Sequence, residues 1–263
     1  MIVSNFPKVD KPQKHVIAYL DMLGTTAKIA QADDYMNLYQ LYTIYNAAVQ
    51  FSENKALRKS RFGKIVVKIF SDNIIMAIPL NSDDDIEDIC HLIEFTAIFQ
   101  DSATLIHRWP VRGGIAIGEL FIDKVMVWGK GLVRAYNLEN KMAIFPRILI
   151  DQSIIHIIGE NSNFVRCDTD GCFFLDFLNF VRHQDQQGND NFVLTARNSF
   201  TDLLKEIKNK DGTYQERPYQ KLQWYKNYLN QWYNEHYAPS DGTVLIDESS
   251  LEKTDSNLEQ DPS

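Results

Sequence analysis

Apolar positions in the first part of the chain fall into two rhythms. Val16, Ile17, Tyr19 and Leu20 make an apolar run closed by Gly24 and Thr25, which predicts a buried strand and its end. Over 25–51, Ile29, Met36, Leu38, Leu41, Tyr42, Ile44 and Tyr45 are available for one face of a helix. The ranges 61–70 and 74–78 read as two strands, joined by a tight turn at Ser71, Asp72 and Asn73. An acidic stretch at 81–85 suits the start of a helix over 86–107, and Trp109-Pro110 ends it, because proline cannot continue a helix. A hairpin is expected over 111–117 and 120–127, with Gly118 and Glu119 at its turn. A helix over 131–143 and a strand over 147–150 follow.

Strand and helix periods thus alternate as β, α, β-β, α, β-β, α, β. That order predicts an α+β fold, a mixed sheet with helices packed on it, as in ferredoxin-like folds. Beyond 150 the pattern gives a short helix at 153–158 and short strands at 164–167 and 173–175 around Asp170-Gly171. A polar linker over 183–191 leads to two helices, 192–207 and 217–237, separated by Asp211-Gly212. Trp224, Tyr228 and Trp232 repeat at helical spacing in the last helix, which predicts a face packed on the core. The range 239–263 carries seven acids and one lysine and predicts a disordered tail. The expected organisation is an N-terminal segment 1–13, a domain over 14–180, a helical extension 181–238 and the tail 239–263.

Composition narrows the function classes. Hydrophobic residues make up 44% of the 263, enough for a sizeable core. No apolar run approaches the ~18 residues that span a bilayer, and residues 1–14 lack the features of a signal peptide. Cys90, Cys167 and Cys172 are odd in number and not spaced for a metal, so reduced thiols and a cytoplasmic location are expected. A net charge of −8 argues against a general nucleic-acid binder, and most of it lies in the tail.

The sharpest chemistry is a pair of carboxylates in apolar surroundings. Asp21 ends the first strand and Asp72 sits in the second turn. Brought together they would repel, and a divalent cation is the common remedy. Turn aspartates that merely bond backbone N–H groups would give the same letters.

The blocks around these residues resemble the catalytic core of the class III nucleotidyl cyclases. Tyr19-Leu20-Asp21-Met22-Leu23-Gly24-Thr25 is similar to the family's first strand, and Lys68-Ile69-Phe70-Ser71-Asp72 to its metal hairpin. Arg112-Gly113-Gly114-Ile115-Ala116-Ile117-Gly118 resembles its glycine-bearing strand, and GKGLVRAYNLE at 129–139 its interface helix. The four blocks fall in the family's order over roughly 14–150. The wording RGGIAIG, RAYNLE and CDTDGCFFLDFLNF resembles the pyrimidine cyclases of bacterial Pycsar anti-phage systems.

The resemblance implies two Mg²⁺ or Mn²⁺ ions held by Asp21, Asp72 and the Met22 carbonyl. It implies attack of a ribose 3′-oxygen on the α-phosphorus of a nucleoside triphosphate, with UTP to cyclic UMP favoured. CTP to cyclic CMP comes second, and an adenylyl cyclase or a non-catalytic cyclase-fold module remain as rivals. Lys68 stands where adenylyl cyclases carry a base-reading lysine, although the solvated end of an edge strand would suit it equally. Tyr19 matches a pocket-lining position or a plain core aromatic, and Arg112 would brace a dimer or contact phosphate. A homodimer with composite sites is implied, in which the partner supplies an Asn and an Arg. Val133 and Asn137 occupy those two positions here, so Arg134, with Lys130 and Asn137, is left as the substitute on that helix. A separate effector sensing the cyclic nucleotide completes the implied system.

Overall fold

Ten residues of strong strand character, Gln13–Met22, form the central strand β1. The structure, a computed structural model, describes residues 10–30, 34–53, 64–82, 85–160, 162–184, 190–209, 211–237 and Ile246. After β1 come α1 (Thr25–Ile29), α2 (Asp34–Glu53), β2 (Val66–Phe70), β3 (Asn73–Pro79) and α3 (Ile86–Asp101). A π-helical turn, Ser102–Ile106, ends α3. Next are β4 (Val111–Ile122), β5 (Val127–Trp128), α4 (Lys130–Met142), β6 (Ile148–Ile150) and α5 (Gln152–Ile158). The chain continues with β7 (Val165–Cys167), β8 (Phe173–Leu175), α6 (Phe177–Gln184), α7 (Asp190–Glu206) and α8 (Glu216–Tyr237).

Among the described residues the strands order as β2-β3-β1-β4-β6-β8-β7, with β5 pairing β4. β1 runs antiparallel to both neighbours, β3 and β4, whereas β4 and β6 are parallel. This is the α+β arrangement of a mixed sheet with packed helices that the alternating periods imply.

Alternation along the strands assigns the two faces. Val16, Ala18, Leu20 and Met22 of β1, with Ile74, Met76 and Ile78 of β3, join one large core, which also contains Leu92 of α3, Phe200 of α7 and Trp232 of α8. The C-terminal helices therefore share the core of the sheet. On the opposite face Ile17, Ala77, Ala116 and Leu120 pack with Ala135 of α4, and Tyr19, Ile75 and Leu138 lie against them. Glycines let α4 come this close. A Cβ on Gly114 would stand 2.4 Å from the Ala135 carbonyl oxygen and 2.6 Å from Leu138 Cβ.

Several expectations are corrected. The hairpin turn at Gly118-Glu119 does not exist, because β4 runs on to Ile122 and Gly118 and Glu119 pair with His15 and Lys14. Gly118 is there for close approach to Gly131, whose Cα would stand 2.6 Å from its Cβ. The reversal comes at 123–126, where Asp123 Oδ1 accepts from the Val125 and Met126 N–H groups. The helix over 25–51 is two helices, and its apolar face is only partly used. Ile44, Tyr45 and Ala48 are buried, while Ile29, Met36, Leu38 and Tyr42 are exposed. The helix over 86–107 changes to π geometry at Ser102.

Residues 61–63, 185–189 and most of the range 239–263 lie outside the described residues, and so do 1–9. Ile246 departs from the expectation of a structureless tail. It is buried in the large core, and the Asn230 side chain bonds both its N–H and its carbonyl.

Candidate active site

The sequence-predicted carboxylates are brought together by strand register. β1 pairs with β3 so that Asp21 faces Asn73, and the Met22 N–H donates to the Asp72 carbonyl at 3.1 Å. Ser71, in the turn before Asp72, has φ 56°, so the turn is tight enough to set Asp72 beside the end of β1. Asp21 shares the α4 face with Tyr19 and Ile17, because side chains two apart point the same way. Burial raises the Asp21 carboxyl above the usual carboxylate range. The Arg112 hydrogen bond and charge oppose that, and the charge of Asp72 adds to it.

Arg112 lies directly across β4 from Asp21. Its Nε donates to Asp21 Oδ2 at 2.8 Å, and its Nη2 lies 2.8 Å from both Asp21 Oδ2 and Glu139 Oε1. Glu139, from α4, is buried, and burial raises its carboxyl while Arg112 opposes the rise. Arg112 is thus a bridge between Asp21 and Glu139. Within this chain the contacts of Arg112 form that bridge, and the sequence expectation for it is to brace a dimer or contact phosphate.

A second chain of bonds ends on Asp72. Tyr19 Oη donates to Asn73 Oδ1 at 2.7 Å, and Asn73 Nδ2 donates to Asp72 Oδ1 at 3.1 Å. Tyr136 of α4 meets the Tyr19 ring edge to face at 5.4 Å. Burial, then the nearby Glu139 and Asp21 charges, push the Tyr19 hydroxyl up to about 12. Tyr19 is therefore a neutral donor at ordinary pH.

Tyr19, Lys68, Asn73 and Ile75 line a cleft of about 430 Å³ with Lys124, Val125, Met126 and Leu132. Lys68 pairs with Ile75 and so faces the same side as Tyr19 and Asp21. The cleft has an apolar floor with a hydroxyl, an amide and two ammonium groups, the mixture expected of a small-molecule site.

Asp21, Asp72 and the Met22 carbonyl offer only oxygen, which suits a hard cation such as Mg²⁺ or Mn²⁺. The Arg112 contacts fall on Asp21 Oδ2, and the Met22 carbonyl accepts the Thr25 hydroxyl at 2.8 Å. A carbonyl carries two lone pairs and can accept a hydrogen bond while offering oxygen to a cation. The donor set fits two carboxylates sharing a cation. Among the described residues no group of three or more His, Cys, Asp or Glu is placed to hold a metal.

Arg134 is not brought to this site within the chain. Its Nε and Nη2 both reach Asp151 at 2.7 Å, a bidentate pair. Asn137 sits half-buried on the same helix. Sequence reasoning gave no role to Asn73 or Glu139. Asn73 follows Asp72 directly, and its neighbourhood was the signal available. Glu139 looks like any polar helix position until Arg112 is seen beneath it.

A second cleft, of about 480 Å³, begins two residues past Asp21. The β1–α1 turn (Leu23, Gly24) and Lys28 form one wall, and Leu203 and Glu206 of α7 with Arg217 and Lys221 of α8 form the other.

No protein-family model matches the chain, and no curated protein matches it. Solved structures do. A dimeric guanylyl cyclase domain of the RhoGC fusion protein from the aquatic fungus Blastocladiella emersonii matches with TM-score 0.42 and 14% identity, covering 64% of this chain and 96% of that one. A class III adenylyl cyclase-like ATP-binding protein from Pseudomonas aeruginosa matches with TM-score 0.46 and 13% identity, covering 70% of this chain and 43% of that one.

Proposed function

We propose that the chain is a nucleotidyl cyclase that closes a pyrimidine nucleoside triphosphate to its 3′,5′-cyclic monophosphate, UTP ahead of CTP, releasing pyrophosphate. The observation that carries this reading is the meeting of Asp21 and Asp72 at the end of β1, beside a cleft lined by Tyr19, Lys68 and Asn73. When bound, Mg²⁺ or Mn²⁺ would neutralise the triphosphate and favour the 3′-oxygen as nucleophile. Asp21, Asp72 and the Met22 carbonyl would hold the ions. The 3′-hydroxyl loses its proton to solvent as its oxygen bonds to the α-phosphorus and the bond to the pyrophosphate oxygen breaks, so protein work is mostly positioning and charge.

Each neighbouring group has a part in that positioning. Arg112 holds Asp21 by one oxygen, Oδ2. The Tyr19–Asn73–Asp72 chain orients the second carboxylate. Lys68 would donate to an acceptor on the base. The Tyr19 ring, braced by Tyr136, fills depth in the cleft and favours the smaller pyrimidine over a purine. The chain would act as a homodimer, with Arg134, Asn137 or Lys130 reaching the partner's substrate. Its product would be read by a separate effector in anti-phage defence, as the sequence resemblance implies.

A specific observation also favours a non-catalytic reading. Arg112 is itself a cation on Asp21, so the carboxylate is satisfied without a metal. One assay separates the readings: purified protein with each of the four NTPs and Mn²⁺, products identified by mass. Cyclic UMP is expected, and cyclic AMP alone would make this an adenylyl cyclase read by Lys68. Asp21→Asn and Asp72→Asn should each lower the rate at least about 100-fold while leaving the circular dichroism spectrum unchanged. Full activity in either variant, or no product from any NTP, sinks the proposal.

A further inference from the structure

We propose that the cleft between the β1–α1 turn and helices α7 and α8 seats the β- and γ-phosphates of the substrate, held by Lys221 and Arg217. The inference rests on the cyclase reading and adds to it a phosphate-binding role for the C-terminal helices.

Position is the first argument. The cleft begins at Leu23 and Gly24, directly after Asp21 and Met22. A triphosphate whose α-phosphorus lies at Asp21 therefore has this cleft of about 480 Å³ next to it along the chain. Gly24 has φ +84°, and a Cβ added there would meet nothing within 4 Å, so its main chain stands open to a ligand.

Charge is the second. Lys28, Arg217 and Lys221 line the cleft against one acid, Glu206. Lys28 is already committed, 2.8 Å from Glu206 and 5.2 Å from the centre of the Trp109 ring. Among the described residues neither Arg217 nor Lys221 has an acidic partner within ion-pair distance. Two cations converging on a cleft with one already neutralised acid suit a polyanion. Lys221 is half-buried and feels the charges of Asp21, Glu139 and Arg112, so its ammonium lies in the field of the carboxylate site itself.

Chemistry is the third. Helix α4 offers Val133 and Asn137 where the resembling family has Asn and Arg, and Arg134 is taken by Asp151. Within one chain, then, α4 brings no arginine to the carboxylates, and α8 supplies positive charge for the leaving pyrophosphate beside whatever a partner's α4 adds.

The test uses the full chain and inorganic tripolyphosphate as probe. Lys221→Ala and Arg217→Ala should each weaken tripolyphosphate binding, read by calorimetry, by about tenfold, and together by more. The KM for the nucleotide should rise by a similar factor, Lys221→Arg should restore most of it, and Lys11→Ala, far from the cleft, should change neither. If wild type makes cyclic nucleotide and the double variant binds tripolyphosphate and turns over as wild type does, this inference falls and the cyclase reading stands. If wild type makes no product yet its tripolyphosphate binding depends on both residues, the anion site stands and the cyclase reading falls. A double variant that loses activity with unchanged tripolyphosphate affinity and KM also overturns the inference, since it makes the residues structural.

Discussion

Asp101 closes α3 with its carboxyl buried, and burial pushes it up to about 6 from an ordinary 3.8. A carboxyl raised in the folded state binds a proton that the unfolded chain has already lost. Stability from this group is therefore highest below about 3.8, falls as pH rises to about 6, and stays flat above, where both states are ionised. The cost at neutral pH is about 2–3 kcal/mol. Asp101→Asn should stabilise the protein by about 1–3 kcal/mol at pH 8, and the gain should shrink toward zero near pH 4. Urea melts across that range check it, and a gain independent of pH would refute the burial argument. Asp101 was not legible in the sequence, because one acid in a helix reads as solvent-facing until Tyr225 of α8 is placed near it. Asp21 and Asp72 were legible for the opposite reason. An acid that ends or interrupts an apolar strand is costly unless it has a purpose, so the pattern itself marks it.

Elements were legible wherever apolar spacing alone decides them. β1, β3, α4 and α8 lie within a few residues of the expected bounds, since each buries a full face or both faces. The false turn at Gly118 shows where that logic fails. Glycine is used both for reversing a chain and for close approach, and only the packed helix distinguishes the two uses. At Gly114 and Gly118 the use is approach, and it sets the height of α4 over the sheet and hence of Glu139 over Arg112. Gly114→Ala puts a methyl against the Ala135 carbonyl and Leu138. The expected loss is about 1–3 kcal/mol, as for overpacking elsewhere. The variant should also lose activity beyond what its folded fraction explains, because α4 must lift and carry Glu139 off Arg112. Thermal melts with rates per folded molecule would test this. A variant destabilised but fully active when folded would separate α4 packing from the site.

For the whole molecule, the spacing of Trp224, Tyr228 and Trp232 showed that α8 packs on a core, where Tyr228 and Trp232 are indeed buried, but it could not show that α8 brings Lys221 into the field of Asp21, because long-range docking leaves no local signature. Sequence did imply pairing of two chains, and the surface offers a face for it. Phe70, Val125, Trp128, Val133 and Tyr136 are exposed around the cleft and on α4, with Phe70 and Val125 over 80% open. Exposed apolar side chains beside a cleft suit an interaction surface, although α2 exposes Met36, Leu38, Tyr39 and Tyr42 as well. Arg134 stands on the same helix, half-exposed, with Asp151 in its fork. If a partner's substrate takes Arg134, mixing inactive Asp21→Asn with inactive Arg134→Ala should restore activity. Random exchange of equal amounts gives about half mixed dimers, each with one intact site of two, so recovery should approach roughly a quarter of wild type. Should Arg134 instead serve only to anchor Asp151 at the start of α5, Asp151→Asn would reproduce the Arg134→Ala defect. Mixing would then restore nothing, even with subunit exchange demonstrated by mass-labelled chains. Trp128→Asp provides the independent arm: it should yield monomers by sedimentation and abolish turnover with both carboxylates intact. A fully active monomer would remove the composite site altogether, leaving the phosphates to Lys221 and Arg217 of the same chain.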